Sequence, residues 1–157
     1  MHKLIACDPE KCLGCLICES ACSIKTARSL NPSFSRIRAV NLEPRGSLAL
    51  ACMLCENPPC VNCCPRNALR QSEKNGQIIV DEAKCTGCNW CEIACPFGTI
   101  ASPPTKKVVA ICDLCNGEPE CVKACPYDAL VFATPEELTH KSRREAFTKL
   151  LKELDEV

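Results

Sequence analysis

Sixteen of the chain's eighteen cysteines fall into four groups whose internal spacing repeats. Group one is Cys12, Cys15, Cys18 and Cys22, spaced C-x2-C-x2-C-x3-C, and group three, Cys85, Cys88, Cys91 and Cys95 followed by Pro96, has the same spacing. Group two, Cys52, Cys55, Cys60 and Cys64 before Pro65, reads C-x2-C-x4-C-x3-C-P, and group four, Cys112, Cys115, Cys121 and Cys125 before Pro126, widens the middle gap to five. The flanks repeat too: DPEKCLGCLICESAC matches DEAKCTGCNWCEIAC, and CENPPCVNCCPRNAL matches CNGEPECVKACPYDAL. The order A, B, A′, B′ is that of a doubled two-motif unit. The apolar fraction of 46% counts these cysteines and aromatics make up only 4%, so hydrocarbon alone makes a thin core for 157 residues.

Three uses of so many thiols compete. Disulfides fit small domains made in oxidising compartments, but MHKLIACDPEKC holds no apolar stretch of signal-peptide length, so the expected setting is the reducing cytoplasm. Zinc knuckles normally come in pairs separated by a longer loop, often with histidine, whereas here the cysteines crowd together and the only histidines are His2 and His140. The spacing suits iron–sulfur cubes best. Three thiolates two residues apart on a tight loop converge on three corners of one 4Fe-4S cluster, and the fourth cysteine, ahead of a proline, ligates the other cluster of a pair. Gly14 and Gly87, inside the first C-x-G-C of the A motifs, take backbone angles barred to other residues.

Two cysteines are left over. Cys63 adjoins Cys64, but the x3 gap and the following proline favour Cys64 as ligand, and Cys7 on the strand-like KLIAC reads as a small buried residue. Cys22 is followed by Ser23, not proline, which lets a helix continue through SIKTARSL. Lysine plus arginine equals aspartate plus glutamate at nineteen each, so no overall field argues for nucleic acid, and no apolar run is long enough for a membrane span.

With CENPPC, CCPRNAL, GQIIVDEAKCTGCNWCEIACPFG and KVVAICDLC, the arrangement resembles the four-cluster ferredoxin-type (polyferredoxin) electron-transfer subunits of molybdenum and tungsten oxidoreductases. These include the iron–sulfur subunits of dimethyl sulfoxide reductases and formate dehydrogenases and the small subunits of tungsten aldehyde oxidoreductases. The resemblance implies four 4Fe-4S clusters in a nested pairing: Cys12, Cys15, Cys18 with Cys125; Cys112, Cys115, Cys121 with Cys22; Cys52, Cys55, Cys60 with Cys95; and Cys85, Cys88, Cys91 with Cys64. Tandem pairing of adjacent groups is the alternative suggested by the A, B, A′, B′ order, and it leaves the ligand set unchanged.

The expected fold is α+β: two ferredoxin-like modules of short β-hairpins and short helices, plus a C-terminal α-helix. Residues 1–30 with 105–133 form the first module, 50–104 the second, 31–49 an insert hairpin and 134–157 a docking helix. Hairpins are expected in ALRQSEKNGQIIVD around Asn75-Gly76 and in TIASPPTKKVVAI around Pro103-Pro104. In the insert region SRIRAVNLE and SLALAC read as strands around Pro44-Arg45-Gly46, and Lys25, Arg28, Arg36, Arg38 and Arg45 against Glu43 make it locally positive, read as a solvated face. The tail opens with Thr134 as N-cap, Pro135 and Glu137, and continues with an apolar stripe of Leu138, Phe147, Leu150, Leu151 and Leu154.

Four thiolates per cube leave no iron open to substrate, and no G-x-G-x-x-G or P-loop is present to hold a nucleotide. The chain therefore reads as a non-catalytic electron conductor between a catalytic subunit, of molybdenum- or tungsten-pterin type, and a second redox partner. Low-potential clusters of this kind suit anaerobic metabolism. Trp90, Phe97 and Tyr127 beside groups three and four would exclude water and lower the potentials, although packing explains them equally well. A free polyferredoxin, or a cluster-stapled scaffold linking copies into an oligomer or filament, are the alternatives.

Overall fold

A computed structural model describes residues 2–44 and 46–155, with residues 149–155 described by their backbone alone. The elements in chain order are β1 (Leu4–Cys7), α1 (Ile17–Ala27), β2 (Arg38–Asn41), β3 (Ser47–Leu50), α2 (Pro59–Asn62), β4 (Leu69–Gln71), β5 (Ile78–Val80), α3 (Trp90–Ala94), α4 (Glu120–Lys123), β6 (Leu130–Ala133) and α5 (Pro135–Asp155). Short 3-10 turns occupy Pro32–Phe34 and Leu114–Gly117. The architecture is α+β, with three two-stranded antiparallel sheets, β1–β6, β2–β3 and β4–β5.

The β1–β6 ladder runs from Leu4 opposite Ala133 to Cys7 opposite Leu130, and so brings the start of the chain beside the segment that follows group four. Two core clusters result. The first takes Ile5, Ile37 and Ala49 from the early chain and Leu114 and Leu130 from the late chain, packed with Cys18, Cys22, Cys112 and Cys121. The second takes Leu69, Ile78, Ile100, Val109 and Ile111, packed with Cys60 and Cys91. Cysteine is a structural part of both.

The β4–β5 hairpin forms where the sequence places it. The expected hairpin at TIASPPTKKVVAI reduces to one bridge, Ala101 to Ala110, because Pro103 and Pro104 have no N–H with which to extend a ladder. The insert strands pair from Arg38–Leu50 to Asn41–Ser47, but the first begins three residues later than SRIRAVNLE suggests. Ser35 is fully buried, its Oγ donates to the Ile37 carbonyl and accepts the Ile37 N–H, and the Arg36 N–H turns to the Cys22 Sγ at 3.2 Å. Helix α1 continues past Cys22, as the missing proline allows, and stops at Ala27, where Arg28 takes a left-handed conformation. Arg45, at the insert turn, lies outside the described residues.

At α5 the capping box is complete: the Glu137 N–H donates to Thr134 Oγ1 at 3.2 Å and the Thr134 N–H to Glu137 Oε2 at 2.8 Å. Leu138 is half-buried, whereas Phe147 is 64% exposed. The side chains of Leu150, Leu151 and Leu154 lie outside the described residues. Removing the cap in Thr134→Ala should destabilise the first turn by about 1 kcal/mol. Faster amide exchange at 135–139, with unchanged exchange in the body of the loaded protein, is the expected reading.

Candidate metal centres

The four cysteine groups share a backbone grammar. In each, the residue before the second cysteine has positive φ: Gly14 at 67°, Leu54 at 50°, Gly87 at 69° and Leu114 at 54°. A left-handed residue there folds C-x2-C into a tight loop with the flanking thiols on one side, a conformation glycine takes freely and leucine only under strain. Distant segments close over both glycine loops: a Cβ on Gly14 would stand 2.6 Å from Ser47 Oγ of β3, and one on Gly87 only 2.1 Å from the Lys107 carbonyl oxygen.

A second turn follows three of the fourth cysteines. Asn67, Gly98 and Asp128 have positive φ, and their N–H groups donate to the carbonyls of Cys64, Cys95 and Cys125 at 3.2, 3.2 and 3.5 Å. The repeated CPRN, CPFG and CPYD are the sequence signal of this turn. It aims backbone donors at sulfur, as with the Ala68 N–H, 3.3 Å from Cys64 Sγ. Cys22 has no such turn and takes its N–H from Arg36 of the insert instead.

The structure gathers cysteines from different groups around shared cavities. Cys12, Cys15, Cys18 and Cys125 line one. Cys64, Cys85, Cys88 and Cys91 line a second, and Cys52, Cys55, Cys60 and Cys95 a third. The remaining four stand together: Cys22, Cys112 and Cys121 share the first core cluster, and the charge of Cys22 bears on Cys112, Cys115 and Cys121 alike. Each of these three cavities is lined by four cysteines and by no His, Asp or Glu, a donor set that fits a cubane cluster taking one thiolate per iron. Among the described residues no three His, Cys, Asp or Glu side chains close on a point as a single ion would require.

Burial sets the acidity of these thiols. It pushes Cys18, Cys60, Cys112 and Cys121 up to about 12 and Cys91 to about 11, so metal loading must displace protons that the bare pocket holds firmly. Burial would raise Cys64 and Cys95 as well. At Cys64 the N–H groups of Ala68, Arg66, Leu69 and Asn67 outweigh it, and at Cys95 the Thr99 N–H and hydroxyl with the N–H groups of Phe97 and Gly98 do the same, leaving both thiols below the ordinary value.

Cys63, at the C-terminus of α2, donates to the Cys60 carbonyl at 3.4 Å and does not line the cavity that Cys64 lines. Cys7 is half-buried rather than buried, accepts the Ala49 N–H at 3.3 Å, and is pushed up to about 11 by burial. Trp90, Phe97 and Tyr127 edge three different cavities but remain exposed, Trp90 to 58%, so they form rims rather than water-excluding lids. The basic insert is not simply a solvated face: Arg36 pairs with Asp113, Arg38 with Glu19 and Lys25 with Glu120.

Residues 47–135 match the family described as 4Fe-4S dicluster domain, and residues 9–26 the 4Fe-4S binding domain. The chain is 43% identical over 129 residues to the aliphatic sulfonate oxidoreductase polyferredoxin-like subunit of Pyrococcus furiosus, covering 80% of this chain and 75% of that protein. It is 35% identical to the thiosulfate reductase electron transfer subunit PhsB of Salmonella typhi, covering 83% and 74%. It is 34% identical to one polypeptide of the anaerobic dimethyl sulfoxide reductase of Escherichia coli, covering 85% and 74%.

Proposed function

The chain belongs to the 4Fe-4S dicluster family of ferredoxin-type iron–sulfur subunits, and from that premise we propose that it carries four 4Fe-4S clusters and relays electrons between a catalytic subunit and a second redox partner. The observation that carries this reading is the convergence of thiols from separate groups on shared cavities. The ligands are the sixteen grouped cysteines in nested pairs, with groups one and four in one module, 1–30 with 105–133, and groups two and three in the other, 50–104. Bound there, a 4Fe-4S cluster takes up and releases single electrons with little movement of its ligands.

The protein's residues hold these sites in a row. Cys15 and Cys88 are the exposed cysteines among the described residues. Cys15 lies in a rim of exposed Leu13, Leu16, Ile17 and Tyr127, and Cys88 lies beside exposed Trp90 and Ile93. Cys52 and Cys112 lie on the inside, close enough that the charge of Cys52 bears on Cys112, and Cys52 and Leu54 pack on the core that holds Cys112. Partners therefore dock at the group-one and group-three ends, where docking covers an exposed apolar rim around a ligand close to the surface. Helix α5, which follows β6 after Thr134 and opens with a capped first turn, supplies a further docking element.

With every iron of the four cubes held by a thiolate, no coordination position is left for substrate, so the chain itself is not catalytic. The catalytic partner is of molybdenum- or tungsten-pterin type on the resemblance described above. A reducing, cytoplasmic setting suits eighteen unpaired thiols. No helix among the described residues is long and apolar enough to cross a membrane.

Anaerobically prepared protein should contain iron and acid-labile sulfide for four cubes, undergo reversible reduction, and co-purify with an oxidoreductase subunit. Cys64→Ser should lose one cluster's worth of iron, whereas Cys63→Ser should keep the full complement. Zinc in place of iron, iron for only two cubes, or loss on Cys63→Ser with retention on Cys64→Ser would overturn the assignment.

A further inference from the structure

Arg36 joins the insert to the fourth cysteine quartet by two separate contacts. Its backbone N–H donates to Cys22 Sγ at 3.2 Å. Its guanidinium Nη1 meets Asp113 Oδ2 at 2.5 Å, and Asp113 stands between Cys112 and Cys115 with its other oxygen, Oδ1, accepting the Cys115 N–H at 3.0 Å. Asp113 is held on a third side as well, since Gln77 Nε2 donates to its carbonyl at 2.6 Å. Arg36 is partly buried, and among the described residues its buried Nε has no hydrogen-bond partner. A positive group shielded from water in this way acts strongly on nearby charge.

The neighbouring quartet has an ion pair of its own. Glu19, directly after Cys18, is buried and accepts the Ala39 N–H at 2.7 Å from the same insert, with Arg38 Nη1 at 3.8 Å. The insert thus supplies an arginine to a carboxylate beside each of the two quartets, but only Arg36 also donates its backbone N–H to a quartet sulfur.

We propose that Arg36 is a tuning residue that, through its charge and its clamp on Asp113, raises the reduction potential of the cluster held by Cys22, Cys112, Cys115 and Cys121. The proposal rests on the four-cluster reading. One-electron reduction adds a single negative charge within the quartet and consumes no proton. An adjacent guanidinium lowers the energy of that added charge, and an adjacent carboxylate raises it.

The test is a redox titration of the fully loaded, anaerobically prepared protein with dithionite as the electron source, followed by electron paramagnetic resonance. The cluster in question is identified as the one whose signal changes in Cys115→Ser. In Arg36→Gln, which keeps the backbone N–H, that cluster alone should titrate at a lower potential. Asp113→Asn should move it upward, Arg36→Lys should leave it near the wild-type value, and the double variant Arg36→Gln/Asp113→Asn should return part of the loss. Unmoved potentials, four clusters shifting alike, or both single variants shifting in the same direction would overturn the proposal. If Arg36→Gln fails to load, Asp113→Asn decides: an upward shift of that cluster upholds the role, and none refutes it. Failure of the four-cluster reading would appear separately, as wild-type iron and sulfide below four cubes.

Discussion

Iron-free protein should not hold this fold. Among the described residues only nine buried apolar side chains are aliphatic and larger than alanine, six are alanine and six are cysteine, and none is aromatic. Each sheet has two strands, and an isolated two-stranded ladder is marginal in water. Helices α2, α3 and α4 are four or five residues long, below the length at which a helix persists unaided. Each of these helices carries a cysteine of a quartet, Cys60, Cys91 and Cys121, and is held in place through it. Metal binding is therefore folding energy. Without metal, Cys18, Cys60, Cys112 and Cys121 remain protonated, since burial pushes them up to about 12, and neutral thiols give the loops nothing to converge on. Chelation under anaerobic conditions should abolish the cooperative thermal transition and most amide protection outside α5. A cooperative melt of iron-free protein with native-like circular dichroism would contradict this.

How far such a fold can be read in advance depends on whether its determinants are local. Ligand spacing is local, so the four groups, the turn at Asn75-Gly76 and the cap at Thr134 are all legible from a few consecutive residues. The β1–β6 pairing joins four-residue strands from near the two ends of the described chain, and no short window of KLIAC or ALVFAT names its partner. The bridge at Ala101–Ala110 shows the reverse error, because alternation suggested a ladder that two prolines cannot continue.

The cysteine grouping of the candidate site was legible in the sequence, its supports less so. Leu54 and Leu114 occupy the positive-φ position held by Gly14 and Gly87, a constraint visible only when the C-x2-C loops are laid over one another. The charge excess of the insert looks like a solvated face in the sequence. In the folded chain Arg36 meets an aspartate 77 positions away, and composition carries no record of that pairing.

Gly87→Ala should remove the group-three cluster, and comparison with the other glycines explains why the effect is large. An alanine at φ 69° already carries the strain of a left-handed L-residue, about 1–2 kcal/mol. Its Cβ would also stand 2.1 Å from the Lys107 carbonyl oxygen, a backbone atom that no rotamer change can withdraw. Either the 107 segment lifts, disturbing Val109 in the second core, or the Cys85–Cys88 loop tilts and its thiols leave their quartet. Gly14→Ala meets Ser47 Oγ at 2.6 Å, the end of a side chain that can rotate, and Gly98→Ala meets nothing within 4 Å. The expected order of damage is therefore Gly87, then Gly14, then Gly98, with Gly98→Ala feeling only its backbone conformation. Iron content and the paramagnetic spectrum of the reduced protein report it: Gly87→Ala should lack one cluster, Gly14→Ala should load fully with lowered thermal stability, and Gly98→Ala should resemble the parent most closely. Equal loading and stability across the three would mean that the approach of Lys107 to the group-three loop does not hold that loop in place.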